Sequence, residues 1–121
     1  MITIMPADEA FLTAMNCPPG VDALVLRDAA GTVEGHALFR VDGDEVEVLG
    51  VECREPLMVS ALIRSVLNAG DYRGATTGLC RVAALENELR RLEFRPGEDG
   101  WRISIEEFFH GKCPGECGEK A

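Results

Sequence analysis

What this chain lacks narrows it quickly. Lys and Arg number only 12 against 21 Asp and Glu, for a net charge of −9. They form no basic run or stripe, which argues against a nucleic-acid groove. An acidic surface also repels anionic ligands mildly, although a local field can override net charge. No apolar stretch approaches the ~20 residues of a membrane span, so no membrane partner is expected. The opening residues, MITIMPADEAF, have neither a charged n-region nor a long h-region, and a secretory signal is not expected. The five cysteines are an odd number. Without an export signal the expectation is reduced thiols in the cytoplasm. Glycine is also missing where it would matter most, between Gly50 and Gly70.

What is present suffices for one domain. The 121 residues, 46% hydrophobic and 27% charged, are enough for a single core and too few for two. MITIM reads as a first strand stopped by Pro6. ADEAFLTAM follows as a helix, with Asp8 and Glu9 at its positive end and Ala7, Phe11, Ala14 and Met15 on one face. Asn16-Cys17-Pro18-Pro19-Gly20 ends it. VDALVL and VEGHALFRV alternate as strands, the second opposing Val33, Ala37, Phe39 and Val41 to Glu34, His36 and Arg40. Asp42-Gly43 between alternating strands marks a two-residue hairpin. The next strand runs from Glu45 to Glu52, and Gly50 shifts its apolar register, as at a bulge.

Pro56 suits the first turn of a helix. Val59, Leu62, Ile63, Val66 and Leu67 are its apolar stripe, and Gly70 is expected as its C-cap. Ala75 to Cys80 reads as a strand. Val82, Leu85, Leu89 and Leu92 define another helix, supported by Glu86–Arg90. Phe94 leads out through turns at Pro96-Gly97 and Asp99-Gly100. Trp101, Ile103 and Ile105 alternate in a closing strand. The order is β-α-β-β-β-α-β-α-β-β, a single α/β domain over residues 1–110 with a mixed, mostly antiparallel sheet flanked by helices. Residues 111–121 read as a polar, Cys-containing tail. Exposed sheet edges could pair two copies into a homodimer.

Strand–loop–helix at Val46–Gly70, VEVLGVECREPLMVSALIRSVLNAG, is the unit that holds phosphate at a helix N-terminus in many enzymes. Together with the element order, it resembles the GNAT N-acetyltransferase superfamily over nearly the whole chain. VLRDAAGTVEGHALFRV is similar to that family's second and third strands ("evvGyal"). ENELRRLEFRP is similar to its late helix ("lYeklGF"), and WRISI to its closing strand. The resemblance implies acetyl transfer from acetyl-CoA to an amine on a small molecule or a protein. It implies a pantetheine-binding edge at Leu49–Val51 and a general base on the central strand, for which Glu47 is the candidate. The family's (Q/R)-x-x-G-x-(G/A) pyrophosphate loop falls on residues 54–59. Arg54 matches its first position, while Leu57 and Val59 replace both small residues. Pro56 removes a donor, and Glu55 competes with an anion at the helix dipole. The family's general-acid tyrosine falls on Leu89. These departures also fit a second function, a GNAT-like binding module that does not use acetyl-CoA.

Other candidates stand apart from that resemblance. Glu45, Glu47 and Glu52 fit a solvated strand face as well as a base. His36, beside Glu34 and Arg40, fits a cross-strand role. His110, Cys113 and Cys117 form H-x2-C-x3-C, a spacing that can bind zinc if a fourth ligand comes from elsewhere. With Cys17, Cys53 and Cys80 isolated, no metal site is assigned. Cys53 and Cys80 are packing residues unless a lowered pKa makes one a nucleophile. Tyr72, the only tyrosine, is placed in the loop after the central helix, at the surface or in packing.

Overall fold

A computed structural model describes residues 2–111, with side chains through residue 109. Its elements are β1 (Thr3–Pro6), α1 (Glu9–Ala14), β2 (Asp22–Arg27), β3 (Val33–Asp42), β4 (Glu45–Cys53), α2 (Val59–Tyr72), β5 (Thr77–Cys80), α3 (Glu86–Arg91), β6 (Arg95–Gly97) and β7 (Gly100–Ser104). Short 3-10 turns precede α2 at Pro56–Met58 and α3 at Ala83–Leu85, and a π-turn closes the described chain at Glu107–Gly111. The order is the one read from the sequence.

The seven strands of the described residues form one sheet, ordered β1-β2-β3-β4-β5-β7-β6. Only β4 and β5 run parallel, because a helix returns the chain between them and a hairpin cannot. Asp42 pairs with Glu45 across the turn at Gly43-Asp44. The Asp44 carbonyl then accepts from the N–H groups of Thr76 and Thr77, tying the hairpin to the start of β5. The Cys113 and Cys117 proposals, and the side chain of His110, lie outside the described residues.

Strand alternation sorts the sheet into two faces. Leu24, Leu26, Ala37, Phe39, Val46 and Val48 share one core with Leu62, Ile63, Val66 and Leu67 of α2 and Leu85, Leu89 and Leu92 around α3. Gly70 belongs to that packing and is not the C-cap expected from the sequence. It lies inside α2, and a Cβ there would sit 2.5 Å from Val46 Cγ1. The helix ends two residues later, at Tyr72. Gly74 (φ 95) donates to Asp71, and Ala75 donates to the Gly70 carbonyl, a Schellman motif. The same motif ends α1 at Asn16 (φ 56) and α3 at Glu93 (φ 72). At α3 the Phe94 N–H reaches the Leu89 carbonyl at 2.9 Å, and both side chains are buried.

On the opposite face, α1 is the only helix among the described residues. Asp8 caps it by accepting from the Phe11 N–H at 2.9 Å. Phe11 meets the His36 ring edge-on at 5.7 Å. Beyond α1 no helix among the described residues covers this face of the sheet from β3 to β7.

Candidate functional site

β4 carries the site because its two edges are paired over different lengths. With β3 it pairs from Glu45 to Cys53. With β5 it pairs only from Glu45 to Val48, ending at Val48–Cys80. Past that point the chain turns away into the 3-10 turn before α3, so the two strands part. Leu49–Cys53 therefore presents a backbone edge that no strand occupies among the described residues. The register slips by one residue at this point: Leu38 faces Gly50 and Phe39 faces Val48, leaving Leu49 as the bulged residue. Bulges bend a strand and re-aim its groups, and they recur beside active sites. The sequence reading put the shift at Gly50, one residue away.

Below the bulge, the open face carries a chain of ion pairs. Glu47 is only 14% exposed and holds Arg40 at 3.2 Å through Oε1 and Arg81 at 2.9 Å through Oε2. Arg81 continues to Asp99, by Nε to its carbonyl at 2.9 Å and by Nη2 to its carboxylate at 3.6 Å. Asp99 holds Arg102 at 3.1 Å, and Arg102 holds Glu45 at 2.6 Å. Arg102 lies beside Asp99 and holds its carboxyl below the ordinary aspartate range. The two carboxylates beside Arg102 push its own pKa upward. Gly100 allows the β6–β7 turn to join this chain, since a Cβ there would sit 2.9 Å from both Arg81 Cγ and the Cys80 carbonyl. Three arginines and three acids thus balance locally in a strongly acidic protein.

Above the bulge lies the segment that resembles a phosphate loop. Arg54 is exposed at the exit of β4, and its single ion pair, to Glu34, is long at 3.8 Å. Leu57 is 80% exposed, so its bulk lies in solvent and does not fill the gap. Val59 is half-buried against the core. The 3-10 turn uses donors that an anion would need: the Met58 N–H goes to the Glu55 carbonyl at 2.9 Å, and the Val59 N–H to the Pro56 carbonyl. Such a turn satisfies N–H groups that a helix otherwise leaves free at its start. Pro56 has none to offer.

Leu89, where the family places its acid, is fully buried in the core. Tyr72 is 93% exposed at the far end of α2. Cys80 is buried, and burial pushes its thiol up, outweighing a backbone hydrogen bond at Val82 that lowers it, with the nearby Glu47 charge adding a smaller push upward. That environment keeps it a neutral thiol and removes it as a nucleophile. Cys53 is half-buried opposite Gly35. Among the described residues no group of three His, Cys, Asp or Glu gathers as a metal site, and no helix is long and apolar enough to cross a membrane.

The structure therefore brings Glu47, Leu49 and Val51 onto one strand at the fork and puts Arg54, Leu57 and Val59 around the turn above it. Arg40, Arg81, Asp99 and Arg102 were not singled out from the sequence. Arg40 could have been, by counting back from the hairpin to the residue opposite Glu47.

No protein-family model and no curated protein matches the sequence. Solved structures do match. The ribosomal-protein-S18-alanine N-acetyltransferase from Escherichia coli superposes with a TM-score of 0.68 at 18% identity, over 87% of this chain and 94% of that one. Mutant forms of the spermidine/spermine N-acetyltransferase from Vibrio cholerae superpose at 0.70 and 8% identity, over 93% and 99%. A protein from Desulfovibrio desulfuricans assigned to the GNAT family superposes at 0.69 and 8% identity, over 87% and 99%. At these identities the likeness is one of fold: the chain has the GNAT acyl-CoA N-acyltransferase fold.

Proposed function

We propose that this protein is an N-acetyltransferase that moves an acetyl group from acetyl-CoA to an amine. The observation that carries the reading is the parting of β4 and β5 after Val48 and Cys80, with a bulge at Leu49 and a free backbone edge beyond it. The Escherichia coli and Vibrio cholerae structures of the same fold act on amines, an alanine of a ribosomal protein and spermidine or spermine. Acetyl-CoA supplies the acetyl thioester, whose C–S bond breaks as the amine N–C bond forms and one amine proton is released.

The residues fit that ligand unevenly. The edge at Leu49–Val51 offers unpaired amide and carbonyl groups to the amides of a pantetheine arm. Arg54 supplies an accessible cation for its phosphates. The turn supplies little more, because Pro56 lacks an N–H and those of Met58 and Val59 are engaged. Glu47 stands one residue below the end of strand pairing and receives the amine proton, directly or through water. Its two guanidinium partners fix its position. Leu89 has no proton to give and Tyr72 stands at the wrong end of α2, so protonation of the departing sulfur falls to solvent on the open face.

Calorimetric titration of the full chain with acetyl-CoA tests this. Binding is expected, and Arg54→Ala should weaken it roughly 10- to 100-fold, the worth of a charge-assisted contact. No heat at millimolar acetyl-CoA would remove the enzyme reading and leave a GNAT-fold binding module in its place.

A further inference from the structure

Arg40 and Glu47 face each other across β3 and β4, on a part of the sheet that no helix covers among the described residues. The arginines around this carboxylate are not equally engaged. Arg81 commits its whole fork, Nη1 to Glu47 and Nε and Nη2 to Asp99. Arg102 divides its own fork between Glu45 and Asp99. Arg40 uses one Nη2–H, to Glu47 Oε1 at 3.2 Å, and is 45% exposed. Its other N–H groups have no partner among the described residues, and the second Nη2–H with the Nε–H beside it can hold a carboxylate in parallel hydrogen bonds. Each Glu47 oxygen keeps a lone pair after its one bond to arginine.

A ligand that satisfies both groups carries an anion and an amine side by side. Because Arg40 Nη2 touches Glu47 Oε1, a ligand with those two groups separated by a single carbon reaches both. We infer that the acceptor is an α-amino acid, its carboxylate on the free edge of Arg40 and its amine on Glu47; the assignment rests on the acetyltransferase reading above. A polyamine fits worse. Glu45, Glu47 and Asp99 already have guanidinium partners, so a polycation meets like charge beside each of them and brings no anion to offset it. A zwitterion brings its own anion to the cation it meets. Glu47 precedes Val48, where β4 leaves β5, so an amine seated on it stands at the mouth of the gap.

The test is a calorimetric titration of the full chain with the standard amino acids, their α-amides, which lack the anion, and spermidine. At least one free acid should bind, with its amide roughly 10-fold or more weaker. Arg40→Gln should abolish that difference. An amide or spermidine that binds as tightly as the acid overturns the assignment, as does no amino-acid binding at all or a difference that survives in R40Q. If R40Q fails to fold, the acid-to-amide ratio of the unaltered protein decides alone. A transfer assay with acetyl-CoA separates the two readings. Acetylation of amines without preference for α-amino acids keeps the reaction and discards the acceptor. Amino-acid binding by a chain that does not bind acetyl-CoA keeps the acceptor site and discards the reaction.

Discussion

The lower half of β4, Glu45–Val48, is paired on both edges, whereas Leu49–Cys53 is paired on one. Both halves contain valine and glutamate, two of each in the lower and one of each in the upper. In the lower half the valines lie under α2 with nothing to spare, and the glutamates are pinned by arginines from three other segments. In the upper half Val51 is only partly buried, and Glu52 lies on the exposed face opposite His36. The difference teaches that a strand becomes a site where its neighbour leaves it. Residue type along the strand does not mark the place.

Substitutions can break that contrast, beginning with the residue beneath both halves. Phe39 is buried and pairs with Val48 at the bulge. Phe39→Ala should cost about 3–5 kcal/mol in a urea denaturation series. Gly70→Ala acts on the lower half alone. Its Cβ collides with Val46, an overpacking worth about 1–3 kcal/mol, offset by ~1 kcal/mol of helix propensity. A net loss of up to about 2 kcal/mol is expected from the shift in melting temperature. Glu47→Gln releases two half-exposed guanidiniums, and its stability cost should be no more than about 1 kcal/mol. A larger loss would show that the ion pairs act as one cooperative network.

Acid offers a further way to loosen the lower half. The Asp99 carboxyl is held low by Arg102, so its stabilising effect is complete above the ordinary aspartate pKa of about 4. That effect is lost as pH falls through the depressed folded value. Melting temperatures across roughly pH 2 to 6 should therefore decline less steeply in Asp99→Asn than in the unaltered chain. The smallest effect belongs to the upper half. A Cβ at Gly50 meets nothing within 4 Å, and Gly50→Ala should change stability by less than about 0.5 kcal/mol. A large loss there would erase the contrast, because it would mean the upper half is packed as tightly as the lower.

Much of the fold was legible because its signals are local. Alternation in VEGHALFRV, the Asp42-Gly43 hairpin and the stripe from Val59 to Leu67 each identify an element within a few residues. Gly70 misled for the same reason. A glycine at the end of an apolar stripe reads as a cap, but its real constraint is contact with Val46, 24 positions away in the chain. Glu93 shows the converse. It takes the left-handed conformation at the end of α3, a place where glycine is usual; the Phe94 N–H bond to the Leu89 carbonyl closes the turn.

The candidate site divides in the same way. Arg40 lies seven residues from Glu47 through a hairpin, and its pairing can be counted from the turn. Arg81 lies 34 residues from Glu47 and reaches it only because α2 returns the chain parallel to β4. Leu57 and Val59 replace both small residues of the phosphate loop, and their side chains lie in solvent and partly in the core respectively. Hydrogen bonds of the 3-10 turn, invisible in side-chain identity, withhold the loop's donors.

Sequence alone determined which segments became strands and helices, where the tight turn falls, and that the element order is that of a GNAT fold. Hydrophobic period and turn chemistry act over a few residues and need no partner to be read. Tertiary structure decided where β4 and β5 part, which arginines hold Glu47, and how many backbone donors remain at the start of α2. Each of these depends on chain segments distant in sequence meeting in space, and on how many residues the shorter strand has to give.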